Sequence, residues 1–161
     1  MEIKIEQFNE KDLDIITKIW NDIVFEGKYF PQDEPLNITD AREFFALQSH
    51  VGVAKLGDEI LGLYILHPNN VGRCSHIANA SYGVLPKNRG EGIGALLVKN
   101  SLEVAKNLDF KILQFNAVVT SNAGAIHLYK KLGFTPLGVI PKGFRLNDNT
   151  YEDIMPFYIE I

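Results

Sequence analysis

The order of strand-like and helix-like patterns along this 161-residue chain predicts a mixed α/β fold. Seven segments have the alternating or continuous apolar pattern of strands, and four segments repeat apolar residues at helical spacing. Helices separate some consecutive strands and are absent between others, so both parallel and antiparallel pairs are expected in the sheet. The chain is as long as one ordinary domain, and we predict a single domain over residues 1–161.

The first quarter of the sequence predicts a strand, a helix and a loop. Polar and apolar residues alternate over residues 2–8, which indicates the strand. Residues 12–25 repeat apolar side chains at helical spacing and predict an amphipathic helix. Two prolines forbid a continuous helix in residues 27–35, so this segment is predicted to be a loop.

A second helix and a β-hairpin follow. Asp40 and Glu43 have the spacing of a capping box and place the helix at residues 40–49. Residues 51–55 and 60–66 are rich in strand-forming side chains and flank a Gly-Asp pair, which is typical of an antiparallel hairpin.

The second half of the chain alternates strands and helices and then ends in two strands. A glycine after the last predicted helix is a common helix stop. In chain order, the patterns predict a strand at 78–85, a helix at 93–107, a strand at 111–119, a helix at 122–132 and, from residue 134 onward, two final strands joined near 147–149.

Charge and cysteine content exclude several classes of protein. The formal net charge is -4 and the isoelectric point is about 5.5, so the chain lacks the basic surface on which nucleic-acid binding depends. The single cysteine, Cys74, excludes an intrachain disulfide and suits a reducing compartment. No apolar run is long enough to span a membrane, and no signal sequence begins the chain. We therefore expect a cytoplasmic protein that binds neither nucleic acid nor membranes, and a homodimer is left open.

The segment Arg89–Gly94 is the clearest indication of a ligand. It follows a predicted strand and opens a predicted helix, where unpaired backbone N–H groups and the positive end of the helix dipole can bind a pyrophosphate. A side chain at Gly90, Gly92 or Gly94 would shield these groups, and Lys87 and Arg89 add local positive charge. The structural alternative is a glycine-rich turn that only permits close packing.

Two other phosphate-binding motifs do not fit this segment. A P-loop requires Gly-Lys-Ser/Thr at its end, whereas Ala95 and Leu96 follow Gly94. A dinucleotide fingerprint places glycine or alanine where this sequence has Leu97, and it normally follows the first strand of its fold. Kinase and dehydrogenase functions are therefore rejected.

Residues 84–94 resemble the Arg/Gln-x-x-Gly-x-Gly/Ala motif of the GCN5-related N-acetyltransferase (GNAT) superfamily. Residues 119–134 are similar to a later strand–helix block of the same superfamily, and the order of elements matches from end to end. The resemblance implies the GNAT fold: a mixed, mostly antiparallel sheet of seven strands, flanked by about four helices and splayed between its fourth and fifth strands. It also implies acetyl-coenzyme A as the donor of an acetyl group.

The same resemblance implies where the donor binds. The backbone near Val84 would pair with the pantetheine arm like an added strand, and the glycine turn would hold the pyrophosphate. Asn122 would contact pantetheine, and Tyr129, seven residues later on nearly the same helix face, would give a proton to the departing thiolate. The alternatives are a helix N-cap for Asn122 and a core aromatic side chain for Tyr129. The cofactor-binding residues expected are Val84, Leu85, Arg89, Gly90, Gly92, Ile93, Gly94, Ala95, Asn122, Ala125 and Tyr129.

The acceptor side departs from the superfamily pattern. Many relatives place a glutamate on the strand before the glycine turn, and residues 77–84 contain none. Asn79 on this strand and Asn116 on the next are unusual among apolar neighbours, because a buried amide needs partners. Together with the passage from 67–69 through 73–80, residues 115–116 and residues 140–142, they resemble fungal N-acetyltransferases that act on proline analogues such as azetidine-2-carboxylate. That resemblance implies that Asn79 and Asn116 are catalytic residues that hold the acceptor, and that the acceptor's proton is removed through water. Alternatively, each amide only ties strands together.

Other candidate residues surround this region. His67, Cys74 and His76 have no carboxylate partner in their loop, so we expect no metal site. His76 is a candidate base, because histidine is a residue type that commonly accepts a proton in catalysis. Segments 29–31 and 142–145 come from regions that flank the acceptor cleft in the superfamily, although their phenylalanines could equally be core side chains.

These observations lead us to expect an enzyme that transfers an acetyl group from acetyl-coenzyme A to the amine of a small molecule. The amine would attack the thioester directly while both substrates are bound. Positioning of the two substrates and backbone hydrogen-bond donors would supply much of the rate enhancement. The acceptor could be an amino acid or a proline analogue. Two alternatives stay open: a protein N-terminal or lysine acetyltransferase, and a non-catalytic acyl-coenzyme A sensor, which the missing glutamate favours.

Overall fold

A computed structural model describes residues 2–161 and has one mixed sheet with four α-helices. The seven predicted strands and four predicted helices are all present, and the model adds a two-residue strand too short to leave a periodic pattern. The strands are β1 (Lys4–Gln7), β2 (His50–Leu56), β3 (Glu59–Pro68), β4 (Ile77–Val84), β5 (Ile112–Val119), β6 (Thr135–Pro136), β7 (Ile140–Arg145) and β8 (Tyr151–Glu160). The helices are α1 (Leu13–Glu26), α2 (Ile38–Ala46), α3 (Ile93–Asn107) and α4 (Ala123–Lys131).

The sheet has the order β1-β2-β3-β4-β5-β8-β6, and β7 also pairs with β8. Every pair is antiparallel except β4 with β5, which α3 connects as a crossover helix. The parallel pair runs only from Ile77 opposite Ile112 to Asn79 opposite Gln114, and beyond this point the strands diverge. The mostly antiparallel sheet and its splay between the fourth and fifth strands are therefore confirmed.

Side chains on the two faces of the sheet form separate cores. On β3, Leu63 and Ile65 pack with Trp20 of α1, whereas Tyr64 and Leu66 pack with Leu97 of α3. This alternation follows from the two-residue period of a strand. Helices α1 and α2 cover one face, α3 covers the other, and the sheet is buried between them.

The second helix begins earlier than its sequence pattern predicts. Asn37 is the N-cap, and its Oδ1 accepts a hydrogen bond of 2.8 Å from the backbone N–H of Asp40. The expected capping box at Asp40 and Glu43 is therefore wrong, because the Asn37 amide already satisfies the free N–H groups one turn earlier. Among residues 2–161, no helix combines the length and hydrophobicity needed to cross a bilayer.

Candidate active site

A cavity of about 140 Å³ opens where β4 and β5 diverge. Strands β4 and β5 form two walls, the loop after α1 forms a third, and the start of α4 closes the fourth. None of the lining side chains carries a formal charge at neutral pH. They are Tyr29, Phe30, Pro31, Asn79, Ala80, Ser81, Tyr82, Phe115, Asn116, Ala117, Val118, Val119, Asn122 and Tyr129.

A bulge in β5 shapes one wall of this cavity. The register of β5 with β8 shifts between Phe115 and Val118, so Asn116 and Ala117 lie outside the regular ladder. Bulges redirect side chains in this way near functional sites. Asn116 is exposed and lines the cavity as a result.

The glycine turn lies at the end of β4, next to the cavity. Gly90 and Gly92 have φ angles of 85° and 83°, a backbone conformation that disfavours any side chain. A Cβ atom at either position would meet no atom within 4 Å, so the turn faces open space. Within residues 2–161, the backbone N–H groups from Gly90 to Ala95 have no hydrogen-bond acceptor, and no side chain caps α3. These free donors fit a pyrophosphate.

The side-chain charges beside the turn are already paired. Lys87 Nζ lies 2.8 Å from Glu59 Oε1, and the Arg89 guanidinium donates hydrogen bonds of 2.6 and 3.0 Å to the two carboxylate oxygens of Glu26. The hydrogen bonds that Arg89 donates to Glu26 raise the pKa of Arg89 above its ordinary value. The local positive charge that the sequence predicts from Lys87 and Arg89 is therefore offset, since each side chain has a carboxylate partner from a distant part of the chain.

The end of β4 offers main-chain groups for a further strand. After Asn79, residues 80–84 pair with β3 on one side only, because β5 has turned away. The carbonyl of Val84 accepts a long hydrogen bond of 3.4 Å from Arg89 Nε, and Leu85 N–H is bound to the Leu61 carbonyl at 2.9 Å. An extended ligand can pair with such an edge.

Asn122 and Tyr129 have structural roles, as a helix N-cap and a packed aromatic side chain, and both also lie at the cavity. Asn122 is the N-cap of α4, and its Oδ1 accepts the Ala125 N–H at 3.2 Å. The Tyr129 ring packs on Phe115 and Phe134, with centroids 4.5 and 5.6 Å away. Both residues also line the cavity. Ile93, in contrast, is buried in the core beneath the turn.

Three tyrosines line the cavity, and two of them, Tyr82 and Tyr129, differ in their hydroxyl partners. The Tyr82 hydroxyl lies 2.8 Å from Ser101 Oγ, which itself donates to the Val98 carbonyl, so Tyr82 is the donor. Within residues 2–161, the Tyr129 hydroxyl has no such partner, and burial raises its pKa above 10.0. Burial also raises the pKa of Tyr82. Tyr129 therefore holds its proton at neutral pH and has it free to donate.

Asn79 and Asn116 both have partners that tie structural elements together. The buried Asn79 amide donates to the Gln114 carbonyl at 2.9 Å, at the last paired position of β4 and β5. Asn116 donates to Asn69 Oδ1 at 2.6 Å and accepts from Gln114 at 3.1 Å. The two amides thus have the structural role that the sequence left open, and both also line the cavity.

Several other candidates lie apart from the cavity. His76 is exposed and is not among its lining residues, and Cys74 is also exposed. No cluster of metal-ligating side chains occurs within residues 2–161. Phe30 stacks on Trp20 at 4.5 Å and lines the cavity, whereas Phe144 lines a neighbouring groove of about 370 Å³ that shares the Phe30 wall.

Two residues of this region were missed in the sequence. Tyr82 occupies alternate positions with Ala80 and Val84 on β4, a period-two signal that could have identified it. Glu26, the partner of Arg89, left no local signal, because the two residues are 63 positions apart.

Comparisons with known proteins agree with this geometry. Residues 14–134 match the Acetyltransferase (GNAT) family. The chain is 30% identical over 154 residues to the N-acetyltransferase aca1 of Schizosaccharomyces pombe, covering 85% of this chain and 74% of that protein. It superposes on a GCN5-related N-acetyltransferase from Kribbella flavida with a TM-score of 0.91 and 28% identity, covering 99% of this chain and 98% of that one. A phosphinothricin acetyltransferase from Sinorhizobium meliloti in complex with acetyl-coenzyme A has the same fold, with a TM-score of 0.92, 18% identity and coverage of 100% and 89%. With its glycine turn, splayed sheet and matching sequence, this chain belongs to the Acetyltransferase (GNAT) family.

Proposed function

We propose that this protein acetylates the amine of a small molecule by direct attack on acetyl-coenzyme A. The donor and the reaction class follow from the family, whose members are acetyl-coenzyme A-dependent N-acetyltransferases. The sensor alternative is not pursued for that reason. The small acceptor is our inference, and the observation that carries it is the cavity of about 140 Å³, which has no charged lining residue and is closed by Tyr29, Phe30 and Pro31.

The donor would lie along the features next to the cavity. In this proposal the free N–H groups from Gly90 to Ala95 bind the pyrophosphate, and the open edge of β4 near Val84 and Leu85 pairs with the pantetheine arm. Asn122 and Ala125 begin α4 on the other side of the thioester. The remaining residues of this donor set are Arg89, Ile93, Gly94 and Tyr129.

The chemical step needs a neutral amine and a protonated leaving group. The amine nitrogen attacks the thioester carbonyl carbon, the C–S bond breaks, and the thiolate takes the proton of Tyr129. The proton lost by the amine leaves through water, since no carboxylate or histidine lines the cavity. Tyr129 then regains its proton from solvent. Asn79 and Asn116 orient the acceptor, and a backbone N–H near Val84 polarises the carbonyl.

A substrate panel tests this proposal. Release of free thiol from acetyl-coenzyme A would be followed with amino acids, cyclic imino acids, other small amines, and peptides with free N-termini or lysines. We expect acetylation of at least one small amine, with mass spectrometry giving the site of transfer. Acetylation of peptides alone would reject the small acceptor and favour the protein acetyltransferase.

A further inference from the structure

One ion pair connects the donor turn to the wall of the acceptor cavity. Arg89 opens the glycine turn, and its guanidinium reaches back to Glu26 in the last turn of α1, with N–O distances of 2.6 and 3.0 Å. Such two-point arginine–carboxylate pairs fix geometry as well as charge. Their side chains are 37% and 26% exposed, so solvent screens this pair less than an open surface pair.

The same guanidinium lies against Tyr29, which lines the cavity. Arg89 Cζ is 5.5 Å from the centroid of the Tyr29 ring, within the range of a cation–π contact. A third contact, from Arg89 Nε to the Val84 carbonyl, joins this side chain to the end of β4. Arg89 therefore contacts the end of α1, the acceptor wall and the donor strand.

Helix α1 ends at Glu26, and the loop that follows forms one wall of the cavity. An interaction that fixes Glu26 therefore also fixes the start of this loop. Gly27 ends the helix in a left-handed conformation, and the Asn147 side chain donates to the carbonyls of Phe25 and Glu26 at 3.2 and 3.4 Å. Tyr29 follows two residues after Gly27. Freeing Glu26 would thus loosen one end of the segment that closes the cavity.

We infer that Glu26 is a positioning residue for the acceptor: through Arg89 it holds Tyr29 against the cavity and couples the acceptor wall to the donor turn. This inference rests on the proposed function, because it assumes that the cavity holds the acceptor. Glu26 itself is not among the cavity-lining residues, so it acts only through its neighbours.

Glu26→Gln tests this role, because it keeps the shape of the side chain and removes its charge. We expect the KM for the acceptor to rise about fivefold, the effect of about 1 kcal/mol, with kcat unchanged. Tyr29→Leu should raise the same KM, because it removes the ring that the Arg89 guanidinium contacts. The acceptor is whichever amine or peptide the substrate panel identifies.

Glu59→Gln is the matched control, because it breaks the other ion pair beside the turn, Lys87–Glu59, at a site away from the cavity. An equal rise in KM in both variants, or a change in coenzyme A binding in Glu26→Gln with no rise in the acceptor KM, would overturn the inference. Hydrogen–deuterium exchange of residues 27–33 gives a readout that needs no acceptor: exchange should accelerate in Glu26→Gln and stay unchanged in Glu59→Gln. Failure of the proposed function would show separately, as a wild-type enzyme that acetylates no small amine.

Discussion

The glycine turn and the cavity are neighbours along β4, yet they present different groups to a ligand. The turn offers backbone N–H groups from Gly90 to Ala95, and the two basic side chains near it, Lys87 and Arg89, are paired with Glu59 and Glu26. The cavity offers neutral side chains, chiefly amides and tyrosines. Binding at the turn therefore depends on exposed backbone N–H groups, whereas binding in the cavity depends on which individual side chains line it.

This difference predicts that substitutions will separate into two classes. Substitutions of the turn glycines should weaken binding of coenzyme A, because each adds a Cβ atom that obstructs the backbone N–H donors. Changes in the cavity should alter turnover or the KM for the acceptor and leave coenzyme A binding intact.

The largest effect is expected at Tyr129, whose hydroxyl has no partner within residues 2–161. Tyr129→Phe removes the proposed proton donor, and kcat should fall about 100-fold, the lower end of the range for general acid catalysis. The dissociation constant for coenzyme A, measured by calorimetry, should stay near the wild-type value. Tyr82→Phe is the control, because that hydroxyl donates to Ser101 and its loss should lower stability rather than kcat. Similar kcat values for the two variants would argue against a proton-donor role for Tyr129.

The pH dependence of kcat/KM tests whether the cavity contains a base. Burial raises the pKa of Tyr129 above 10.0, so its phenol stays protonated up to a higher pH than an ordinary tyrosine and should add no descending limb below pH 10. Below the pKa of the acceptor amine, kcat/KM should rise about tenfold per pH unit, because only the neutral amine attacks. The midpoint should therefore shift when amines of different basicity are compared. A midpoint that stays fixed near 6.5 would indicate a histidine base instead.

Gly92→Ala tests the donor turn. A Cβ atom at Gly92 would stand in the open space that a pyrophosphate must enter, and the φ of 83° makes alanine strained there. We expect the dissociation constant for coenzyme A to rise about tenfold, as for the loss of one hydrogen bond to a charged group. Gly72→Ala is matched in strain, with a φ of 57° and no atom within 4 Å of the new Cβ. Both variants should lose similar stability in thermal unfolding, and weaker coenzyme A binding in both would show that strain alone is responsible.

The two regions also differ in how far the sequence predicts them. The donor turn is visible in the sequence because positive φ angles at Gly90 and Gly92 leave glycine as the residue that fits. The strands and helices are predicted to within a few residues because their periodicity is local. The start of α2 was misplaced because Asn37 and Asp40 are both acceptable caps, and only the fold selects Asn37.

The acceptor side depends on contacts that no local pattern encodes. The β5 bulge that brings Asn116 to the cavity is a register shift against β8, a strand that follows some 30 residues later. The pairing of Arg89 with Glu26 joins two exposed-looking charges from separate elements. Tertiary packing selects such partners. The resemblance to a known family identifies Asn79 and Asn116 as candidate acceptor-holding residues, but it does not give their contacts.

The smallest effect is expected at Asn116, where the acceptor side is most exposed. Asn116→Ala removes an amide from the cavity together with its hydrogen bonds to Asn69 and Gln114. Because Asn116 is exposed, the free energy of unfolding should change by less than about 0.5 kcal/mol, while the KM for the acceptor should rise about threefold. Gln114→Ala is the matched control: it removes the same Gln114–Asn116 bond but no cavity-lining side chain, and it leaves intact the carbonyl that Asn79 uses. An equal rise in KM in the two variants would mean that the Gln114–Asn116 bond, and not direct contact of Asn116 with the acceptor, is responsible, and the cavity would then recognise its acceptor through Asn79 and the aromatic wall.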